Sequence, residues 1–188
     1  MSQFTQLSPC RSRANSVMPP TIQLTRAESA ADIDCVRALF LEYTRMPGWD
    51  AGFTRYLEQQ DFDGELAELP GSYGAPDGAL LLARVDGRTA GCIAFKPLES
   101  PDICEMKRLF VRPEFRALGI GEQLVRRLLT DARAAGYRRM RLDTLPSMSG
   151  AQRLYQRLGF RDIPAYCENP IPGARFLECE LEPGDGAR

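Results

Sequence analysis

The residues from Arg116 to Gly121 have the types and spacing of an anion-binding turn. They follow an apolar segment that ends at Val111, and they place two glycines, Gly119 and Gly121, directly before a segment with helical periodicity. Successive backbone amides in such a turn can converge on one anion, and the helix N-terminus adds partial positive charge. Glycine also lets a phosphate group contact the backbone. The alternative is an ordinary tight turn whose glycines only supply positive φ.

Two better-known phosphate-binding motifs do not fit this turn. A dinucleotide-binding motif would require a third glycine at Leu124, and a P-loop would require Gly-Lys followed by Ser or Thr. The turn therefore indicates a different class of anion site.

The composition of the chain excludes several classes of catalytic and metal site. The chain has 188 residues, a formal net charge of -1 and no histidine, which excludes Ser-His-Asp and Cys-His nucleophiles and every His-ligated metal. Its six cysteines form no CxxC motif, so we expect no metal, reduced thiols and a cytoplasmic location. No apolar run approaches membrane-spanning length, so no membrane association is expected.

The order of the predicted elements is β-α-α-β-β-β-α-β-α-β-β. Asp86-Gly87 between two apolar runs predicts a hairpin, and Ser29 predicts a helix start. The segment 49–69 predicts a loop and one further helix, and the segment 160–166 predicts a strand. We predict an α/β (α+β) fold: a mixed, mostly antiparallel sheet of about seven strands with helices on both faces. Residues 1–20 are predicted to be a disordered extension, a transit peptide being the alternative, and residues 21–188 a single domain.

A second motif lies downstream of the turn. The segment GAQRLYQRLGF, residues 150–160, places Tyr155 four residues after Ala151 and ends in Gly-Phe before a strand. Together with the turn at 116–121 and the element order, it resembles the GNAT superfamily of N-acetyltransferases. The segment from Leu142 to the last strand is similar to a bacterial subgroup whose substrates are mostly undefined.

The resemblance implies acetyl-CoA as co-substrate. The amides of the turn would hold its pyrophosphate, and the strand before the turn would pair with the pantetheine arm. The amide of Phe110 would polarise the thioester carbonyl, and the fourth and fifth strands would separate beside it. The residues implied in cofactor binding are Leu109, Phe110, Val111, Arg116, Ala117, Leu118, Gly119, Ile120, Gly121 and Glu122.

Two catalytic candidates follow from the resemblance. Tyr155 lies where the family commonly places the acid that protonates the thiolate; the alternative is a core aromatic residue. Glu105 lies where histone-acetylating members carry a catalytic glutamate, and the alternative is an ion pair with Lys107, which shares its face of the strand. Met148 occupies a position where many members have asparagine, and Ser147 or Ser149 could replace that contact.

The acceptor site is expected in the segment 49–77 and in the loop 168–173. Tyr166 and Asn169 are candidate substrate residues, although a hairpin loop also needs Asn for its shape. Acidic residues such as Asp61, Asp63 and Glu65 could attract a cationic amine, and an exposed acidic helix would explain them equally well.

The sequence predicts a function with two alternatives. We expect direct transfer of acetyl to a primary amine within a ternary complex, in a protein that can form a homodimer. The first alternative is a non-catalytic CoA-binding or regulatory protein. The second is a nucleic-acid binder, suggested by an arginine cluster but not expected, since the cluster is better explained as a solvated face. The cluster consists of Arg126, Arg127, Arg133, Arg138, Arg139 and Arg141.

Overall fold

The computed structural model describes residues 19–46 and 51–181, and these form a sheet of seven strands in the order β1-β2-β3-β4-β5-β7-β6. Only β4 and β5 are parallel, and the other neighbours are antiparallel. The mixed, mostly antiparallel sheet is therefore confirmed. The predicted extension lies outside the described residues except for Pro19 and Pro20, and Trp49 also lies outside them. The strands are β1 Ile22–Arg26, β2 Ala79–Val85, β3 Arg88–Pro97, β4 Ile103–Val111, β5 Arg139–Thr144, β6 Arg161–Ile163 and β7 Arg175–Glu180.

In the described part of the chain five α-helices surround the sheet, one more than the sequence predicts. Residues 51–68 form two helices because Asp61, with φ of 50°, interrupts the helical path. The first helix starts as expected, since the Ser29 hydroxyl accepts a hydrogen bond from the amide of Asp32 at 3.1 Å. The helices are α1 Ala30–Thr44, α2 Ala51–Gln59, α3 Phe62–Glu68, α4 Ile120–Ala134 and α5 Ser149–Arg157.

The helices cover both faces of the sheet, as predicted. Leu81 belongs to the apolar cluster that includes Leu124 of α4. Its neighbour Leu82 belongs to the opposite cluster, which includes Phe40 of α1. Successive strand residues face opposite sides, so each buried strand supplies side chains to both clusters.

The parallel pair β4–β5 is short. Only Ile103–Glu105 of β4 pair with β5, at Arg139–Arg141, so the two strands separate from Met106 onward. A bulge lies in the same part of β4, because Cys92 pairs with Phe110 whereas Ala94 pairs with Lys107. This separation opens the sheet at its centre.

The bulge re-aims the side chain of Arg108. Arg108 has φ of 60°, and its guanidinium projects toward α3, where it donates to Glu65 Oε1 at 2.9 Å and Oε2 at 2.6 Å. Lys107 also projects to this side of the sheet, where it contacts Asp143. A bulge can direct neighbouring side chains in this way because the extra residue interrupts the alternation of the strand.

Replacing Glu65 with Gln is expected to destabilise the fold. The Arg108 side chain is only 4% exposed, so the variant buries a guanidinium without its anion. We expect the free energy of unfolding to fall by about 3–5 kcal/mol in a urea titration. The control is Glu114→Gln, which removes the carboxylate of the exposed ion pair between Glu114 and Arg88, whose charged atoms are 3.9 Å apart. This variant should change the free energy of unfolding by less than about 1 kcal/mol. Equal losses in the two variants would contradict the assignment.

Candidate active site

A cleft of about 500 Å³ opens between the end of β4 and the N-termini of α4 and α5. Five of the predicted cofactor residues line it: Leu109, Phe110, Val111, Arg116 and Gly121. The sequence had not singled out Tyr43, Met46 and Leu154 for this site. The complete lining is Tyr43, Met46, Leu109, Phe110, Val111, Arg116, Gly121, Ser147, Met148, Gly150, Ala151 and Leu154.

The glycine turn presents free backbone amides beside this cleft. Gly119, with φ of 70°, precedes the first residue of α4 and has no side chain to cap the helix. The first amides of a helix have no intrahelical acceptor, so those at 120–122 can bind an anion. A Cβ atom on Gly119 would have no atom within 4 Å among the described residues, so its positive φ, rather than crowding, explains the glycine.

The other predicted residues of the turn would contribute through their backbone. Ile120 is buried in the apolar core, and Leu118 packs against that core. The Ala117 side chain is exposed. The carboxylate of Glu122 accepts hydrogen bonds from Arg126, which lower its pKa, and from Arg157. None of these four side chains lines the cleft.

The edge of β4 that borders the cleft has no β partner beyond Glu105, within the described part of the chain. An extended ligand can pair with such an edge as an added strand. Arg116 holds the turn against the end of this edge, since its Nε donates to the Val111 carbonyl at 3.1 Å.

A second, smaller cavity of about 40 Å³ lies deeper, where β4 and β5 separate. We call it the inner cavity. It shares Tyr43, Leu109 and Met148 with the cleft, so the two spaces meet at these side chains. The residues that line it are Tyr43, Tyr56, Met106, Lys107, Arg108, Leu109, Leu142, Asp143, Leu145, Met148 and Tyr155.

Tyr155 lines the inner cavity and packs against Phe160, with ring centroids 5.7 Å apart. Its hydroxyl has no hydrogen-bond partner within residues 19–46 and 51–181. Burial raises the pKa of Tyr155, and the nearby Tyr43 and Asp143 raise it further. The hydroxyl is therefore protonated at neutral pH and free to donate a hydrogen bond.

Glu105 does not line the inner cavity. Its Oε1 accepts a hydrogen bond from the Tyr166 hydroxyl at 2.9 Å and lies 3.4 Å from Lys107 Nζ. Lys96 Nζ is 3.8 Å from the other oxygen. This geometry favours the ion pair with Lys107, and the role of base for Glu105 stays a prediction.

Asp143 does line the inner cavity, although the sequence did not predict it as a site residue. Its carboxylate accepts hydrogen bonds from the Tyr56 hydroxyl at 2.5 Å, Asn169 Nδ2 at 2.8 Å and Lys107 Nζ at 3.2 Å. Burial alone would raise the pKa of Asp143, but the Lys107 charge and these three hydrogen bonds lower it. The only sequence signal was an acidic residue near the end of an otherwise apolar and basic strand.

The two predicted substrate residues lie next to this network. Tyr166 contacts Glu105, and Asn169 contacts Asp143, although neither lines the inner cavity itself. Asn169 also shapes its loop, because its Oδ1 accepts a hydrogen bond from the amide of Ile171. Both explanations given for Asn169 are therefore compatible with the structure.

The position that departs from the family pattern, Met148, lies at the junction of the cleft and the inner cavity. Ser147 lines the cleft, whereas Ser149 does not. Of the two serines proposed as replacements for the missing asparagine, Ser147 is the one with access to a ligand.

The remaining charged candidates lie away from the inner cavity. Asp61 and Asp63 border a separate groove beside α1, and Glu65 is held by Arg108. Four of the six clustered arginines are paired with carboxylates: Arg126 with Glu122, Arg127 with Asp131, Arg139 with Asp102 and Arg141 with Glu178.

No group of three or more Cys, Asp or Glu side chains in the described residues has the arrangement of a metal site. No helix in the same part of the chain has the length and hydropathy needed to cross a membrane.

Comparison with known proteins gives consistent matches. The model of the acetyltransferase (GNAT) family matches residues 36–160. An uncharacterized N-acetyltransferase of Schizosaccharomyces pombe is 38% identical over 164 residues, covering 87% of this chain and 97% of that protein. The N-acetylaspartate synthetase of Rattus norvegicus is 32% identical over 110 residues, covering 58% of this chain and 37% of that protein. The PaiA N-acetyltransferase of Thermoplasma acidophilum, solved in complex with coenzyme A, has a TM-score of 0.65 at 19% identity, covering 85% of this chain and 99% of that one.

Proposed function

This chain belongs to the acetyltransferase (GNAT) family, and on that premise we propose that it transfers acetyl from acetyl-CoA to the primary amine of a small molecule or peptide. The observation that carries this proposal is the junction between the cleft and the inner cavity, where β4 and β5 separate. One space is large enough for an extended cofactor arm, and the other is small and lined by polar groups. The cleft and the inner cavity meet at the point where an acetyl group would move from the cofactor to the acceptor.

In this proposal the cofactor lies along the cleft. The free amides at the start of α4 hold the pyrophosphate, and the backbone of Leu109–Val111 pairs with the pantetheine arm. The thioester then lies near Phe110, whose amide stabilises the negative charge that develops on the carbonyl oxygen. Ser147, which lines the same cleft, supplies a hydroxyl.

The acceptor enters the inner cavity, where its amine must lose a proton before it attacks. A lysine-like amine with a pKa of about 10.4 is mostly protonated at neutral pH, which costs about 4–5 kcal/mol. The neutral nitrogen then forms the C–N bond, the C–S bond breaks, and the Tyr155 hydroxyl protonates the departing thiolate. The acylated nitrogen gives up its second proton, which restores the Tyr155 hydroxyl directly or through water. The chain has no histidine, so direct transfer within a ternary complex is the simplest route.

The acceptor class is a primary amine with little bulk around the nitrogen, because the inner cavity has a volume of only about 40 Å³. The relative from Rattus norvegicus is named as a synthetase of N-acetylaspartate, which supports a small amine among the acceptors to test. The cytoplasmic location and the homodimer stay predictions from the sequence.

Thiol release from acetyl-CoA tests the proposal. We expect release of free CoA that depends on an added primary amine, with an equal amount of N-acetylated product by mass spectrometry. Plots of reciprocal rate against reciprocal amine concentration, at several acetyl-CoA concentrations, should intersect, as a ternary complex requires. Binding of acetyl-CoA without turnover across a broad amine panel would instead support the non-catalytic alternative.

A further inference from the structure

One carboxylate faces the inner cavity. Of the described residues that line this space, Asp143 is the only acidic one, whereas Glu105 lies outside it and behind Lys107. The other polar lining groups are two cations, Lys107 and Arg108, and tyrosine hydroxyls. An acceptor nitrogen that enters this cavity therefore meets a single anion.

Asp143 is held in place from three sides. Its Oδ2 accepts hydrogen bonds from Tyr56 of α2 and from Asn169 of the segment between β6 and β7. Its Oδ1 accepts only from Lys107 of β4, at 3.2 Å, among the described residues. A carboxylate has about four acceptor positions, so Oδ1 retains one for a ligand.

The charges around this carboxylate leave it negative. Lys107 lies between two carboxylates, those of Asp143 and Glu105, so these three groups together carry one negative charge. Arg108 is neutralised by Glu65, and the partly exposed Lys96 lies beside Glu105 rather than at the cavity. The three donors on Asp143 also keep it ionised, so it can attract a cation but is a poor proton acceptor.

We propose that Asp143 binds the ammonium group of the acceptor, so that the substrate enters this site as a primary ammonium ion. This inference rests on the proposed function. One N–H remains directed at Asp143 Oδ1 while the ammonium gives one proton to water and becomes the nucleophile. After the C–N bond forms, the C–S bond breaks and Tyr155 protonates the departing thiolate. The second nitrogen proton then passes to Tyr155, directly or through water, and restores its hydroxyl. The products are the N-acetylated amine, CoA thiol and one released proton.

Asp143→Asn is the main test, because asparagine has nearly the same size and keeps an oxygen that can accept hydrogen bonds. We expect the KM for the fastest primary amine of the thiol-release panel to rise about 10- to 100-fold. The dissociation constant for acetyl-CoA should stay within about twofold, because Asp143 does not line the cleft. The control is Glu178→Gln on the neighbouring strand β7, which removes the carboxylate that binds Arg141 of β5. This variant should leave both constants unchanged.

A measurement on the wild-type protein covers the case in which Asp143→Asn does not fold. Ammonium chloride should inhibit competitively against the amine and not against acetyl-CoA, whereas sodium chloride at equal ionic strength should inhibit less. Equal inhibition by the two salts overturns the inference. An unchanged amine KM in folded Asp143→Asn also overturns the inference. So does an amine KM that rises in Glu105→Gln but not in Asp143→Asn. Absence of turnover in the wild-type protein with any amine would instead overturn the proposed function.

Discussion

Replacing Tyr155 with Phe is expected to lower kcat about 100-fold or more while the affinity for acetyl-CoA stays nearly constant. The hydroxyl has no protein partner among the described residues, so its removal breaks no hydrogen bond of the fold. Burial keeps its pKa above the usual value, which suits a group that must hold its proton until the thiolate forms. The measurement is kcat from thiol release, together with a calorimetric titration of acetyl-CoA.

The matched control for this variant is Tyr137→Phe. Tyr137 is also a buried tyrosine of the cluster that packs against α4, but its hydroxyl donates to the Asp77 carbonyl, and it lines neither the cleft nor the inner cavity. We expect Tyr137→Phe to reduce stability slightly and to leave kcat unchanged. Full activity of Tyr155→Phe would make Tyr155 a core aromatic residue only.

Replacing Gly121 with Phe is expected to weaken acetyl-CoA binding about 100-fold. A Cβ at this position would make ordinary contacts, 3.7 Å from Leu154 and 3.9 Å from Val111, so the helix accommodates the first atom of a side chain. The ring beyond it must occupy the cleft. Gly121→Ala should therefore bind nearly normally, whereas Gly121→Phe should not, as measured by calorimetry with acetyl-CoA.

Gly119→Val adds an independent variant of the same turn. Its backbone has φ of 70°, so a branched side chain would strain the amides that hold the pyrophosphate. The control is Gly136→Val at the other end of α4, where φ is 96° and a Cβ would likewise have no atom within 4 Å among the described residues. Both variants should lose similar stability, but only Gly119→Val should lose affinity. Equal acetyl-CoA affinity in the two would contradict an anion site at this turn.

The order of elements could be predicted because it depends on local signals. Asp86-Gly87 forms the tight turn between β2 and β3, and both residues have positive φ, as an Asp-Gly hairpin requires. The end of β6 is less well predicted. The sequence suggests a strand to Tyr166, but the strand ends at Ile163 because Pro164 has no N–H to donate to a neighbouring strand.

The cofactor cleft could be predicted in part, since its glycine turn and its strand are continuous in sequence. The inner cavity could not, because its key contacts join distant residues. Tyr56 and Asp143 are 87 positions apart, and nothing local marks either as a partner of the other. The bulge at Arg108 gives no signal either, since a residue with positive φ is usually glycine, asparagine or aspartate. Glu105, the candidate base, lies on β4 as the sequence predicts. In the structure, however, the Lys107 ammonium group lies between the carboxylates of Glu105 and Asp143.

A crystal structure with bound coenzyme A tests the central claim most directly. We expect the pyrophosphate within hydrogen-bonding distance of the amides at 120–122 and the pantetheine paired with Leu109–Val111. We also expect the sulfur at the junction of the cleft and the inner cavity, beside Tyr155. Coenzyme A bound elsewhere, or a sulfur directed away from the inner cavity, would contradict both the assignment of the cleft and the catalytic role of Tyr155.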